Sequence, residues 1–218
     1  MMQSHWIDGR AFPGSGDAID ILDPATEALI DTIPRGHAND VEAAVAAARR
    51  AFEPWAARSP LQRRQIILTA IDRLTLIRGE VAHLLTREMG KPLSHALNEV
   101  NKAIEGMRSN AEMVIHLRSG QQMAADLELN FQQRFARGVA ACVMPWNFPV
   151  ALGLDNVVPN LLVGNTVVWK PSEKTPLTSR LIVERIFDHF GFEQVQQGDA
   201  QEGAGRLCGP GLRYFFRK

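Results

Sequence analysis

The chain has 218 residues, of which 45% are hydrophobic and 22% are charged, as is usual for a soluble globular protein. Its 24 Lys and Arg residues balance 24 Asp and Glu residues, so the formal net charge at pH 7 is zero. We therefore expect no nucleic-acid partner and no membrane association. Two cysteines are too few for a disulfide framework, the start lacks an apolar secretory core, and the histidines have no metal-ligand spacing. A cytoplasmic protein without a metal site is expected.

Residues 1–120 are predicted to form an N-terminal helical part. After short extended segments, apolar residues recur at helical spacing in VEAAVAAARRAF, with Asn39 or Asp40 as the predicted cap. A second helix is predicted to begin at Ser59, which is followed by a proline. Its helical pattern resumes through EVAHLLTREM and ends at Gly90.

A third helix is predicted to run from there to Gly120, after which the hydrophobic period changes. In residues 121–137 the alternation of LELNFQQRF indicates a half-buried strand or a hairpin arm. Residues 138–218 alternate between strand and helix. They contain VAACVM, a helix interrupted at Pro159, TVVWK, the helix PLTSRLIVERIFDHF and a last strand LRYFF. This pattern predicts an α/β fold with a helical layer and a partial doubly wound, Rossmann-like parallel sheet.

The stretch CVMPWNFPVAL places one amide, Asn147, between two aromatic residues and two prolines. Asparagine is common in turns because it bonds its own backbone, but an asparagine fixed by rigid neighbours can also donate a hydrogen bond to a reacting atom. In WKPSEKTP a buried strand ends at Lys170, and Glu173 follows the next turn. This cation and carboxylate could bond the hydroxyls of a ribose, or could form a surface ion pair that caps the following helix.

The segments CVMPWNFP and GNTVVWKPSEKTP closely resemble the aldehyde dehydrogenase superfamily. DPATEALI, VEAAVAAARRAFEPW and REMGKPLSHALNEV also resemble the N-terminal portion of that family, in the same order. The resemblance implies an NAD(P)-dependent oxidation of an aldehyde to a carboxylic acid, with Asn147 as the donor to the oxyanion. It also implies a set of cofactor-binding residues, namely Met144, Pro145, Trp146, Lys170, Ser172, Glu173 and, near the diphosphate, Gly198.

The cofactor preference follows from charge. Glu173 would repel the 2′-phosphate of NADP, so NAD is the expected cofactor and NADP the less favoured one. The nucleophilic cysteine and the general base of the family are expected beyond the last residue of this sequence. Cys142 lies in an apolar strand and Cys208 at a helix carboxyl end, and neither environment favours a reactive thiolate.

The sequence is therefore expected to be a truncated, cofactor-binding part that is inactive alone, with a small aldehyde as the substrate of the complete enzyme. Two alternatives stay open. The chain could be a non-catalytic assembly module that pairs with a full-length homologue, or with itself, through residues 121–137. It could also be a fragment of a broken reading frame. In either case an exposed sheet edge is expected at LRYFF.

Overall fold

The structure is a computed structural model that describes residues 4–116, 121–125, 128–132, 135–187 and 212–214. It begins with two antiparallel hairpins, β1 (His5–Ile7) with β2 (Arg10–Phe12) and β3 (Ala18–Leu22) with β4 (Leu29–Pro34). Three helices follow: α1 (Ala38–Ala56), α2 (Pro60–Met89) and α3 (Leu93–Met113), with a 3₁₀ turn over Val114–His116. The hairpin of β5 (Gln121–Ala125) and β6 (Glu128–Gln132) comes next.

The remaining elements form the predicted alternation of strand and helix. They are β7 (Val139–Val143), α4 (Pro149–Leu162), β8 (Thr166–Lys170), α5 (Pro176–Ile182), a π-helical turn over Val183–Phe187, and β9 (Leu212–Tyr214). In the main sheet the strand order is β2-β1-β9-β8-β7. Strands β7, β8 and β9 are parallel, and β1 joins β9 antiparallel.

Helices cover both faces of this sheet, as a doubly wound fold requires. Along β8, Val168 packs with the alanines of α1, and the Thr166 hydroxyl donates to the Ala48 carbonyl at 3.0 Å. The alternate residues Val167 and Trp169 belong to the larger core on the other face, with α2, α3 and α4. Gly153 of α4 lies so close to Trp169 that an added Cβ would be 2.4 Å from its ring. The α/β fold with a helical layer and a partial parallel sheet is confirmed.

The termini of α2 are confirmed, while those of its neighbours differ from the prediction. The Ser59 hydroxyl accepts from the amide of Gln62, and Gly90 ends α2 in a left-handed conformation with φ of 82°. Between these residues α2 is continuous rather than resumed. Helix α1 begins after His37, not at Asn39 or Asp40, because the Asp40 carboxylate accepts from the His37 amide at 2.8 Å. Helix α3 ends at Met113 rather than at Gly120.

The predicted interruption of α4 at Pro159 is wrong, because the helix continues to Leu162. A proline removes one helical hydrogen bond, but tertiary contacts hold this helix on both sides of the gap. Its last carbonyls are bonded from outside: the Trp55 indole donates to Leu161 at 3.0 Å, and Arg63 donates to Leu162 at 2.9 Å. Burial of the helix and these two bonds outweigh the missing amide.

The predicted exposed edge at LRYFF is also wrong. Strand β9 lies inside the sheet, with β8 on one side and β1 on the other. Among the described residues of this sheet, β2 and β7 are the strands that have a neighbour on one side only. Within the residues that the structure describes, no helix is long and apolar enough to cross a membrane. Within these residues, no group of side chains is arranged to hold a metal ion.

Candidate active site

The carboxyl ends of β7 and β8 bring together the two loops that carry the predicted site residues. Because the strands are parallel neighbours, with Val143 opposite Lys170, their following loops start side by side. The Met144 amide donates to the Lys170 carbonyl at 2.9 Å and so ties the two loops to each other. The residues after β7 form the bend Trp146–Phe148, and those after β8 form the turn that contains Glu173.

Asn147 is exposed at the centre of this bend, between the half-exposed side chains of Trp146 and Phe148. The ammonium of Lys91 donates to the Asn147 backbone carbonyl at 3.2 Å. Within the described part of the chain, no protein atom bonds the side-chain amide of Asn147. The side chain of Asn147 is therefore open to solvent, where a ligand can reach it.

Helix α4 begins directly after this bend, and its amino terminus is capped by a side chain distant in sequence. One carboxylate oxygen of Glu99 accepts from the amides of Val150 and Ala151, at 2.9 and 3.2 Å. The other oxygen forms an ion pair with Lys91. Glu99 is 3% exposed, so its charge is balanced by Lys91 and by the positive end of the helix.

Lys170 and Glu173 form the predicted pair, with 3.9 Å between the ammonium nitrogen and a carboxylate oxygen. Burial lowers the pKa of Lys170, and the negative charge of Glu173 acts in the opposite direction. Both side chains keep some exposure, 18% and 34%, so a ligand can reach them. Ser172 is buried, and its hydroxyl accepts from the Lys174 amide at 3.2 Å, which shapes the turn.

The alternative role for this pair, as a cap of the following helix, is filled by another residue. The carboxylate of Glu88, at the end of α2, accepts from the amides of Leu177 and Thr178 at 2.8 and 3.0 Å. Burial raises the pKa of Glu88 to about 7, while these hydrogen bonds lower it. Lys170 and Glu173 pair with each other and do not cap this helix.

Two of the predicted cofactor residues, Trp146 and Glu173, line one pocket of about 480 Å³. Residues of strand β3 and Glu88 also line it. The ammonium of Lys174 lies 5.4 Å from the centre of the Trp146 ring, within the range of a cation–π contact. The pocket therefore offers an aromatic side chain and the carboxylate of Glu173, while Lys170 is not among its lining residues.

The remaining predicted residues have different outcomes. Met144 and Pro145 lie in the loop after β7, where Met144 packs against the main core and Pro145 is exposed. Cys142 is buried, and burial raises the pKa of its thiol to about 11, in agreement with an unreactive role. Gly198 and Cys208 lie outside the described residues, so their assignments stay predictions.

Sequence reasoning missed three residues that hold these loops, namely Lys91, Glu99 and Glu88. A signal was present, because Glu99 stands three residues after buried Ala96 and four before buried Ala103. A carboxylate on the inward stripe of a helix needs a partner. Glu88 stands in the same way three residues after buried Leu85.

Comparison with known proteins gives the family of this chain. The family model described as the aldehyde dehydrogenase family matches residues 12–195, so Gly198 lies beyond the match. A D-glyceraldehyde dehydrogenase (NADP(+)) of Picrophilus torridus is 31% identical over 185 residues, which are 84% of this chain and 38% of the relative. An N-succinylglutamate 5-semialdehyde dehydrogenase of Chromobacterium violaceum is 35% identical, with the same coverage.

Solved structures agree with this relationship. PnpE in complex with nicotinamide adenine dinucleotide has a TM-score of 0.85 and 31% sequence identity. The match covers 100% of this chain and 42% of the PnpE chain. Lactaldehyde dehydrogenase from Escherichia coli has a TM-score of 0.85 and 28% identity, over 43% of its chain. The chain thus spans about two fifths of the length of these proteins, consistent with the N-terminal portion that the sequence predicted. The chain belongs to the aldehyde dehydrogenase family.

Proposed function

We propose that this chain supplies the cofactor-binding and oxyanion-stabilising part of an NAD-dependent aldehyde dehydrogenase. The observation that carries the proposal is the pairing of the two loops after β7 and β8, tied by the Met144–Lys170 hydrogen bond. The loop that carries Asn147 and the loop that carries the Lys170–Glu173 pair therefore lie together at one end of the sheet. Open α/β sheets bind their ligands at this end.

The residues present fit a nicotinamide dinucleotide. A ribose presents two adjacent hydroxyls, and Lys170 and Glu173 offer a donor and an acceptor 3.9 Å apart. The cofactor, when bound, accepts a hydride from the substrate. The carboxylate of Glu173 would repel a 2′-phosphate, which supports NAD over NADP. Both cofactors occur among the similar proteins, since PnpE was solved with NAD and the Picrophilus torridus relative is NADP(+)-dependent by name.

Asn147 is proposed to act on the aldehyde. Attack by a thiolate places negative charge on the carbonyl oxygen, and a side-chain amide that no described protein atom bonds can donate to that oxygen in exchange for water. Removal of one such donor typically slows a reaction by ~10²–10³. The buried thiol of Cys142 does not serve as the nucleophile, so the chain alone is expected to produce no NADH from an aldehyde.

Saturation-transfer NMR with NAD tests the cofactor site, because this method detects weak binding. We expect transfer to the adenosine protons, a loss of affinity of roughly tenfold in Lys170→Met, and no loss in the exposed control Lys102→Met. Glu173→Gln is expected to raise the affinity for NADP relative to NAD. No transfer in the unmodified chain, or equal transfer in Lys170→Met, would overturn the proposed site. Aldehyde-dependent NADH production that is lost in Asn147→Ala would contradict the proposed inactivity of the chain alone.

The β5–β6 hairpin supports a second role, in assembly. It forms a two-stranded sheet of its own, separate from the main sheet in the described residues. Two-stranded hairpins are marginal in water unless a further strand or surface packs on them, so we propose that a second subunit or a full-length homologue pairs here, in the cytoplasm. Sedimentation should show a concentration-dependent oligomer that is lost when residues 121–132 are replaced by a Gly-Ser linker. A monomer at every concentration would remove this role.

A further inference from the structure

Lys91 is a nearly buried cation that contacts the Trp146–Phe148 bend in two ways. Its side chain is 9% exposed. The ammonium donates to the Asn147 carbonyl and lies 4.6 Å from the centre of the Phe148 ring, a cation–π distance. The same ammonium is ion-paired with Glu99. One positive charge thus touches two successive residues of the bend and one residue of α3.

Glu99 connects that charge to the element that follows the bend. Its carboxylate is buried and bonds both Lys91 and the first free amides of α4, those of Val150 and Ala151. The bend is therefore held at its centre by Lys91, and the first turn of the helix that follows it is held by Glu99. Both contacts arise from one ion pair, so a shift of the bend relative to α3 would disturb that pair.

We propose that Lys91 and Glu99 are positioning residues that fix the Trp146–Phe148 bend and so aim the side chain of Asn147. The catalytic meaning of this aim rests on the proposed function of Asn147, whereas the constraint on the bend does not. With its carbonyl bound to Lys91, the peptide after Asn147 loses its freedom to rotate. The direction of the Asn147 Cα–Cβ bond is then determined by the neighbouring backbone.

Stability alone does not account for this arrangement. A buried ion pair costs desolvation energy for both charges, and well-packed apolar residues in its place are often neutral or stabilising. An apolar residue at position 91 could pack on the Phe148 ring, but it could not bond the Asn147 carbonyl. The feature that only the charged pair provides is the fixed direction of the backbone at Asn147.

Fluorine NMR of the full chain labelled with 5-fluorotryptophan tests the proposal. The chain has four tryptophans, and the resonance of Trp146 is assigned by Trp146→Phe. We expect Lys91→Met to shift and broaden the Trp146 resonance while those of Trp55 and Trp169 keep their positions. Lys91→Arg, which retains charge and donors, should restore the original resonance. Lys102→Met, on the exposed face of α3, is the matched control and should change nothing.

A second variant keeps the test decisive if Lys91→Met fails to fold. Glu99→Gln retains the size of the side chain and an acceptor for the α4 amides but removes the charge that holds Lys91. It should shift the Trp146 resonance in the same way. An unchanged Trp146 resonance in a folded variant would overturn the proposal. A change in all four resonances in both variants would do so too, because it would show a general structural role.

The fluorine result is separable from the fate of the proposed function. If the unmodified chain shows no saturation transfer from NAD, the cofactor proposal fails, and the resonance of Trp146 still reports whether Lys91 holds the bend. If NAD does bind, Lys91→Met is expected to weaken the saturation transfer from the protein to NAD, because Trp146 is a proposed cofactor-binding residue. Lys91→Arg is expected to restore it. A Trp146 resonance that moves without any loss of NAD transfer would overturn the extension of this role to the cofactor.

Discussion

The burial of the Glu88 carboxyl group leads us to predict an unusual dependence of stability on pH. The carboxyl group is 4% exposed, and burial raises its pKa from 4.5 to about 7 despite two hydrogen bonds from α5. The folded chain therefore holds a proton on Glu88 at pH values where the unfolded chain has released it. The contribution of Glu88 to the free energy of unfolding is full below pH 4.5 and is lost as the pH rises to about 7. The difference between these pKa values corresponds to ~3 kcal/mol.

The substitution Glu88→Gln isolates this contribution. Glutamine has a similar size and can still accept from the amides of Leu177 and Thr178, but it does not titrate. Burial lowers the pKa of His5 to about 4, which makes the folded chain less stable as the pH falls through the same range. That effect is present in both proteins and cancels in their difference.

Urea denaturation at half-unit steps from pH 4.5 to 8 measures the prediction. The free energy of unfolding of the unmodified chain, minus that of Glu88→Gln, should fall by ~3 kcal/mol over this range. The exposed control Glu105→Gln should keep the profile of the unmodified chain. Profiles of the unmodified chain and Glu88→Gln that stay parallel within ~0.5 kcal/mol would refute the reasoning, because Glu88 would then ionise alike in the folded and unfolded chains.

Two further predictions concern a thiol and a turn. The buried thiol of Cys142, with its pKa raised to about 11, should react with iodoacetamide far more slowly in the folded chain than in urea, as read by mass spectrometry of its peptide; equal rates would contradict its burial. Gly90→Ala should lower the free energy of unfolding by more than ~1 kcal/mol, because φ is 82° and the added Cβ would lie 2.8 Å from Pro24. Gly79→Ala, which has open space around it, is the control and should not destabilise the chain.

The features that sequence predicted well depend on neighbours in the chain. The start of α2 at Ser59 and its end at Gly90 follow from local capping chemistry, which needs no knowledge of the fold. The continuous apolar run of β8 follows from its burial between two helical layers. Pro159 misled for the opposite reason. A local rule predicted a break, and contacts from α1 and α2 with the end of α4 overrode it.

The residues of the candidate site also divide into those that local sequence could predict and those that it could not. Asn147, Lys170 and Glu173 could be predicted as site residues because their motifs are contiguous and resemble a family. Lys91 and Glu99 were not found, since the residues they contact, Asn147 and Val150, lie 56 and 51 positions away in the sequence. The edge expected at LRYFF was wrong for a related reason: the strand that covers β9 comes from the other end of the sequence, at Trp6. No local pattern gives such a pairing.

The junction between α2 and α3 also limits how this sequence can change during evolution. Glu88 and Glu99 stand on either side of the turn at Gly90, and each caps a different helix of the sheet layer. An insertion of one residue before Glu99 would turn its side chain by roughly 100° around the axis of α3 and point it away from α4. A substitution in this segment can be compensated by a second substitution in its partner. A change of length cannot, because it turns the side chain of Glu99 away from α4. Loops on the surface should vary in length among relatives, whereas the spacing between Glu88 and Glu99 should not.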